Sequence, residues 1–170
     1  MTTPGAPVPD PGEPADAEAQ FQRGLACDNG DGQPRDPAAA ARWYRAAADQ
    51  GHAVAALHLG LLHDAGDGVP ADPAAAAQWY RRAADAGNAD GQVNLGLMYL
   101  NGTGVPENAG AALHCFRMAA GQGHAKGQFN AGALVYNGVA GEPDLVEVYR
   151  WWTLAALQGH PQAQAALDRV

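Results

Sequence analysis

The sequence predicts an all-α solenoid: four 36-residue helix-turn-helix repeats followed by a short C-terminal capping helix. Three observations carry that expectation. First, cutting the chain at Ala15, Gly51, Gly87 and Gly123 yields units of 36 residues without an insertion, and such a period marks stacked repeats. Gly24, Gly60, Gly96 and Gly132 then share one register. Gly51, Gly87, Gly123 and Gly159 share a second, each followed by a polar residue, His52, Asn88, His124 or His160. Second, an aromatic column, Tyr44, Tyr80, Phe116 and Trp152, stands one helical turn before Ala48, Ala84, Ala120 and Ala156. Large and small side chains so placed can interdigitate. Third, glycine-rich turns and helix-start residues recur between the two halves of each period.

Residues 1–14 carry Pro4, Pro7, Pro9, Pro11 and Pro14 among small and acidic residues. They read as a disordered tail and spacer rather than a recognition peptide, because proline resists helix and the segment offers little apolar area. The repeat domain is expected over 15–170, with units at about 15–50, 51–86, 87–122 and 123–158.

First helices are expected near 16–28, 52–64, 88–100 and 124–136. Phe21 and Leu25, Leu57 and Leu61, Val93 and Leu97, and Phe129 and Ala133 lie four apart and so share a face. Gly24 and its equivalents interrupt these helices at a cost of about 1 kcal/mol each relative to alanine, which predicts close approach to a neighbouring helix. Gly30-Asp31-Gly32, Gly66-Asp67-Gly68 and Gly102-Thr103-Gly104 form the turns, whereas the fourth unit departs at Ala140, Gly141 and Glu142. Glycine ends a helix where a positive φ is required.

Asp36-Pro37 and Asp72-Pro73 read as N-cap and first helical residue, with Asn108 and Asp144 as the matching caps. Second helices follow near 37–50, 73–86, 109–122 and 145–158, where alanine quartets favour helix and allow close packing. Trp43, Trp79 and Trp151 belong to the same helical repetition and are read as packing residues rather than stacking platforms. Residues 161–170 form the expected capping helix, with Ala163, Ala166 and Leu167 inward.

Composition fits thin helical layers. The chain has 39 alanines among 170 residues, no isoleucine, and only 27 leucine, valine and phenylalanine residues in total. That is too little bulky side chain for a wide core. A net charge of −8 argues against a general phosphate-backbone binder, and no nucleic-acid partner is expected. Asp28, Asp31, Asp36, Asp64, Asp67, Asp72 and Asp85 make an acidic field that can steer a basic peptide. Cys27 and Cys115 exclude a disulfide-rich scaffold. The absence of a signal-peptide pattern and of a long apolar run sets cytoplasmic residence, without membrane partners, as the expectation.

The 36-residue units resemble Sel1-like repeats, relatives of tetratricopeptide repeats. The second unit carries Leu59-Gly60-Leu61, Gly66-Asp67-Gly68-Val69, Trp79-Tyr80, Ala83-Ala84 and Gly87. The third carries Leu95-Gly96-Leu97-Met98-Tyr99, Gly102-Thr103-Gly104-Val105, Phe116, Ala119-Ala120 and Gly123. This resemblance implies a right-handed α/α superhelical solenoid and an adaptor role in protein complexes. Some cysteine-rich relatives are associated with β-lactam binding or hydrolysis. The regular disulfide-bonded cysteine pairs that describe them are missing here, so that hydrolase reading is carried only as an alternative. A purely structural self-assembly module is the third reading, and self-association is the observation that separates it from an adaptor.

In such solenoids the first helices commonly line the concave face. Four stripes are expected there: Glu18, Gln22, Ala26 and Asn29; Val54, His58, Leu62 and Ala65; Asp90, Asn94, Met98 and Asn101; Lys126, Asn130, Leu134 and Asn137. Amides donate and accept hydrogen bonds to an extended backbone, and Leu62, Met98 and Leu134 would add apolar contacts. The row Gln22, His58, Asn94, Asn130 is the sharpest expectation, for reading the backbone of a bound protein or peptide.

Signals for chemistry are weak. The six histidines and two cysteines match no metal-ligand spacing. The glycine-rich turns lack the following lysine-serine or lysine-threonine of a phosphate loop. Lys126, the single lysine, has no serine or cysteine arrangement beside it. No catalytic residue, cofactor or metal is expected.

Overall fold

In the computed structural model, residues 15–139 and 141–170 are described; the expected tail over 1–14 and the departure at Ala140 lie outside them. Among the described residues the chain is all-α. The first helices are α1 (Ala17–Asn29), α3 (Ala53–Ala65), α5 (Ala89–Asn101) and α7 (Ala125–Tyr136). The second helices are α2 (Pro37–Asp49), α4 (Pro73–Asp85), α6 (Ala109–Gly121) and α8 (Leu145–Leu157), and α9 (Ala163–Leu167) closes the chain. Each first helix packs on the second helix of its own repeat, and each second helix packs on the first helix of the next. Four hairpins therefore form one continuous stack, as expected of repeats that bury their apolar faces on one another. Among the described residues no helix is long and apolar enough to cross a membrane.

Both ends of the helices are set by the residues the sequence marks. Asp36, Asp72, Asn108 and Asp144 accept from backbone N–H groups in the first turn of α2, α4, α6 and α8. His52, Asn88 and His124 do the same for α3, α5 and α7. Gly30, Gly66 and Gly102 end α1, α3 and α5 in the left-handed conformation. α7 stops a residue earlier, at Tyr136, so the fourth hairpin turns differently. α9 is shorter than the expected 161–170 helix, with Ala163 buried and Ala166 and Leu167 half-buried.

The core is a seam between helix layers. The rings of Tyr44, Tyr80, Phe116 and Trp152 lie on the backbone of Gly24, Gly60, Gly96 and Gly132. A β-carbon at Gly96 would stand 2.7 Å from Phe116 Cε1. A missing side chain on one helix is the seat for a ring on the next, which is why this composition can pack densely.

Repeat-to-repeat contact involves backbone as well as side chains. The turn at Gly104 rests on the start of α4 so closely that a β-carbon would meet Pro73 O at 2.1 Å; Gly68 meets Pro37 of α2 in the same way. Polar links accompany this contact. Inside single repeats, Gln50 donates to Gln20, Gln122 to Gln92 and Gln158 to Gln128, tying second helix to first, each at 2.8 Å. The second repeat has Ala56 and Ala86 at these positions. There Arg82 donates to Ala48 O (3.0 Å) and pairs with Asp49 (2.8 Å), while its guanidinium and that of Arg45 cover Trp79. Arg117 forks onto Glu147 between α6 and α8 at 2.8 and 2.7 Å. Trp43 and Trp79 are half-buried and Trp151 is buried, with its indole N–H donating to Glu147.

Candidate partner-binding face

The exposed stripe of the first helices is offset by one residue from the expectation at its apolar positions. Leu62, Met98 and Leu134 are buried at 5%, 5% and 7% exposure and belong to the core. Leu61, read from the sequence as sharing the buried face of Leu57, is 44% exposed. The cause is helical geometry. At about 100° per residue, a step of eight drifts about 80° from the starting direction, whereas a step of seven returns within about 20°. From Val54 and Asp90 the stripe therefore continues through Leu61 and Leu97, while Leu62 and Met98 turn inward.

The polar members meet different surroundings. Gln22 is exposed and donates to Glu18 (2.8 Å). Asp90 lies 3.0 Å from His124 Nε2, an ion pair when the imidazole is protonated. His58 is half-buried, with its ring 5.0 Å from Tyr44 and 5.7 Å from Phe21; it fills a gap between rings. Lys126, Asn101 and Asn137 are exposed. Asn94 and Asn130 are half-buried, and Asn130 Nδ2 is enclosed without an acceptor among the described residues.

Only part of the predicted set converges. Asn94, Met98 and Asn101 of α5 surround a pocket of about 230 Å³ together with Asp64, Tyr80, Leu97 and Thr103. Its shape comes from the seam: the Tyr80 ring is seated on Gly60, which brings the phenol to the Asp64 carboxylate at the end of α3. Burial first, and the Asp64 charge second, raise the Tyr80 pKa, so the hydroxyl stays protonated beside Asp64. Tyr44 and Asp28 repeat this pairing at 3.3 Å. In the third and fourth repeats the same two positions hold Leu100 with Phe116 and Tyr136 with Trp152. Sequence reading treated Asp64 as diffuse charge and missed Tyr80, Leu97 and Thr103. The joint change of the Asp and Tyr columns was the available signal.

Two imidazoles on or beside this face resist protonation. Burial lowers the pKa of His58 from 6.5, helped by His52 and opposed by Asp28, and burial followed by Lys126 lowers that of His160. The unfolded chain therefore binds protons that the folded chain resists, so these groups favour folding above about pH 6.5. That stability is lost as pH falls through their lowered folded values. Thermal unfolding at pH 7.5 and 5.5 should show a lower midpoint in acid. His58→Phe and His160→Phe keep the contacts with Tyr44 and Phe129 and should flatten the difference.

Among the described residues, no group of three or more His, Cys, Asp or Glu side chains gathers closely enough to hold a metal ion. Cys27 and Cys115 are free.

The family described as Sel1 repeat matches residues 17–52, 53–88, 89–124 and 125–160. Among solved structures, the chain is similar to a protective antigen present in uropathogenic Escherichia coli strains, displaying an SLR fold. The identity is 34% and the TM-score 0.88, with 91% of this chain and 33% of that chain covered. A Sel1 repeat protein from Oxalobacter formigenes is 29% identical with a TM-score of 0.83, covering 88% of this chain and 62% of that one. The Helicobacter pylori cysteine rich protein B is 22% identical with a TM-score of 0.50, over 61% of this chain and 86% of that one, a likeness of fold alone. The chain thus spans about a third and less than two thirds of the length of the first two. No curated protein matches it.

Proposed function

Because the chain belongs to the Sel1 repeat family, we propose that it is a non-catalytic adaptor or scaffold that binds a protein or extended peptide along its first-helix face. The observation that carries this reading is unused hydrogen-bonding capacity. The side chains of Asn94, Asn101 and Asn137 make no hydrogen bond among the described residues, and Asn130 Nδ2 is enclosed without a partner. The side chains of Asn94, Asn101 and Asn137 reach solvent, and an extended backbone offers both the donors and the acceptors they lack. The half-apolar, half-amide character of the stripe suits macromolecular recognition. Residence in the cytoplasm is part of the same proposal, to be checked by cell fractionation.

The test begins with affinity capture and mass spectrometry to identify a partner, followed by titration of purified components. Asn94→Ala with Asn130→Ala should weaken that complex by roughly 1–3 kcal/mol, as expected for two lost hydrogen bonds. Thermal unfolding should stay near that of the parent, because neither amide bonds within the fold. Unchanged affinity would remove the Asn row from the interface.

A further inference from the structure

We infer that the pocket between α3 and α5 receives an arginine side chain of the bound partner, with Asp64 as its counter-ion. This deepens the adaptor reading and rests on it. The argument comes from comparing equivalent junctions along the stack. Seven residues line the pocket: Asp64, Tyr80, Asn94, Leu97, Met98, Asn101 and Thr103. Thirty-six residues earlier in the sequence stand Asp28, Tyr44, His58, Leu61, Leu62, Ala65 and Asp67.

In that first junction the chain supplies its own guanidinium. Arg35 Nη2 lies 2.6 Å from Asp28 Oδ1 and 2.7 Å from Asp67 Oδ2. Its Nε also donates to Asp28 O at 2.8 Å. The positions it bridges are those of Asp64 and Thr103 one repeat later. At the position of Arg35 the second repeat has Ala71, too short to reach either group. The phenol–carboxylate pair is therefore repeated without the cation that satisfies it in the first junction. Among the described residues the Tyr80 phenol is the neighbour that feels the Asp64 charge, and the side chains of Asn94, Asn101 and Thr103 make no hydrogen bond.

The third junction has lost the feature altogether. Leu100, Phe116 and Val139 replace the carboxylate, phenol and hydroxyl, which removes the ionic recognition there. One junction is closed by an internal arginine, one is open and acidic, and one keeps its amides but has no charge. An incoming arginine matches the middle one on each count. Its methylene stem can cover Leu97 and Met98, its guanidinium can fork onto Asp64, and its remaining N–H groups can donate to the Asn94, Asn101 and Thr103 oxygens. Lysine presents one compact charge and would satisfy fewer acceptors.

The test is an NMR titration of the full chain at low salt with the peptide acetyl-Gly-Arg-Gly-amide. The control replaces arginine by citrulline, which keeps the shape and loses the charge. Shifts are expected at Leu97, Asn101 and Thr103, with about tenfold weaker binding of the citrulline peptide, since hydrogen bonds to charged groups are the stronger ones. Asp64→Asn keeps the side chain's shape beside Tyr80, removes its charge, and should weaken arginine binding to the citrulline level. Ala71→Arg should install the internal guanidinium of the first junction and block the peptide, with unfolding confirming that both variants are folded. Equal binding of the two peptides, no shift at these residues, or unaltered binding to folded Ala71→Arg would each overturn the inference. Any of these results would leave a partner held through Asn94 and Asn130 in place. Failure of the Asn substitutions to weaken the partner complex would leave an arginine-specific pocket in place.

Discussion

Gly104→Ala should destabilise the protein by roughly 3–5 kcal/mol, whereas Gly32→Ala, at the same place in the first repeat, should cost only about 1–2 kcal/mol. Both glycines have left-handed backbones, with φ of 69° and 73°, so both substitutions incur the strain of placing an L-residue there. Gly32 has nothing within 4 Å of an added β-carbon. Gly104 has the carbonyl of Pro73 at 2.1 Å and the Ala74 nitrogen at 2.8 Å. These are backbone atoms in the first turn of α4, and they cannot move aside as a side-chain end would. The difference between the two variants therefore measures the contact between repeats separately from local strain. Urea unfolding followed by circular dichroism would provide it, and equal losses would show that the stack tolerates separation of its turns.

Phe116→Ala should cost about 3–5 kcal/mol, the range for removing a large aromatic from a packed core. Phe116 is fully buried and has no polar atom to complicate the interpretation. Its partner is an absence, the missing side chain of Gly96, so the two positions must be coupled. In the parent, Gly96→Ala places a methyl 2.7 Å from the ring and should destabilise by about 1–3 kcal/mol through overpacking. In the Phe116→Ala background the same methyl enters vacated space, and alanine is the better helix former by about 1 kcal/mol. The double-mutant cycle should thus show a favourable coupling of at least about 1 kcal/mol. Additivity would mean that the glycine column has some purpose other than seating the ring.

Much of this was legible beforehand because the features involved are local and repeated four times. Asp36-Pro37 specifies a helix start by its own chemistry, and Gly66 specifies a stop. Close approach at the helical glycines could be anticipated from their cost, but the sequence pairs the aromatic column with Ala48 and its equivalents, and only the structure seats the rings on the glycines. The binding face was less legible because burial depends on angle. Leu61 and Leu62 are chemically identical neighbours, and only the accumulated rotation of the helix decides which of them meets water. The pocket was harder still. Asp64, Tyr80 and Asn94 come from three helices, and none is unusual alone. The linked glutamines were equally opaque, since Gln92 and Gln122 lie thirty residues apart and look like ordinary solvated side chains.

The turn of one hairpin lies directly on the helix start of the hairpin before it. That leaves no slack for an added residue at either place: a single insertion would lift the turn from its support and break the contact with everything that follows. Whole-unit duplication brings turn and support together and leaves each junction unchanged. A lineage built on this plan can lengthen by copying but not by stretching, and any variety in what it recognises must be written into the side chains of units whose length is held constant.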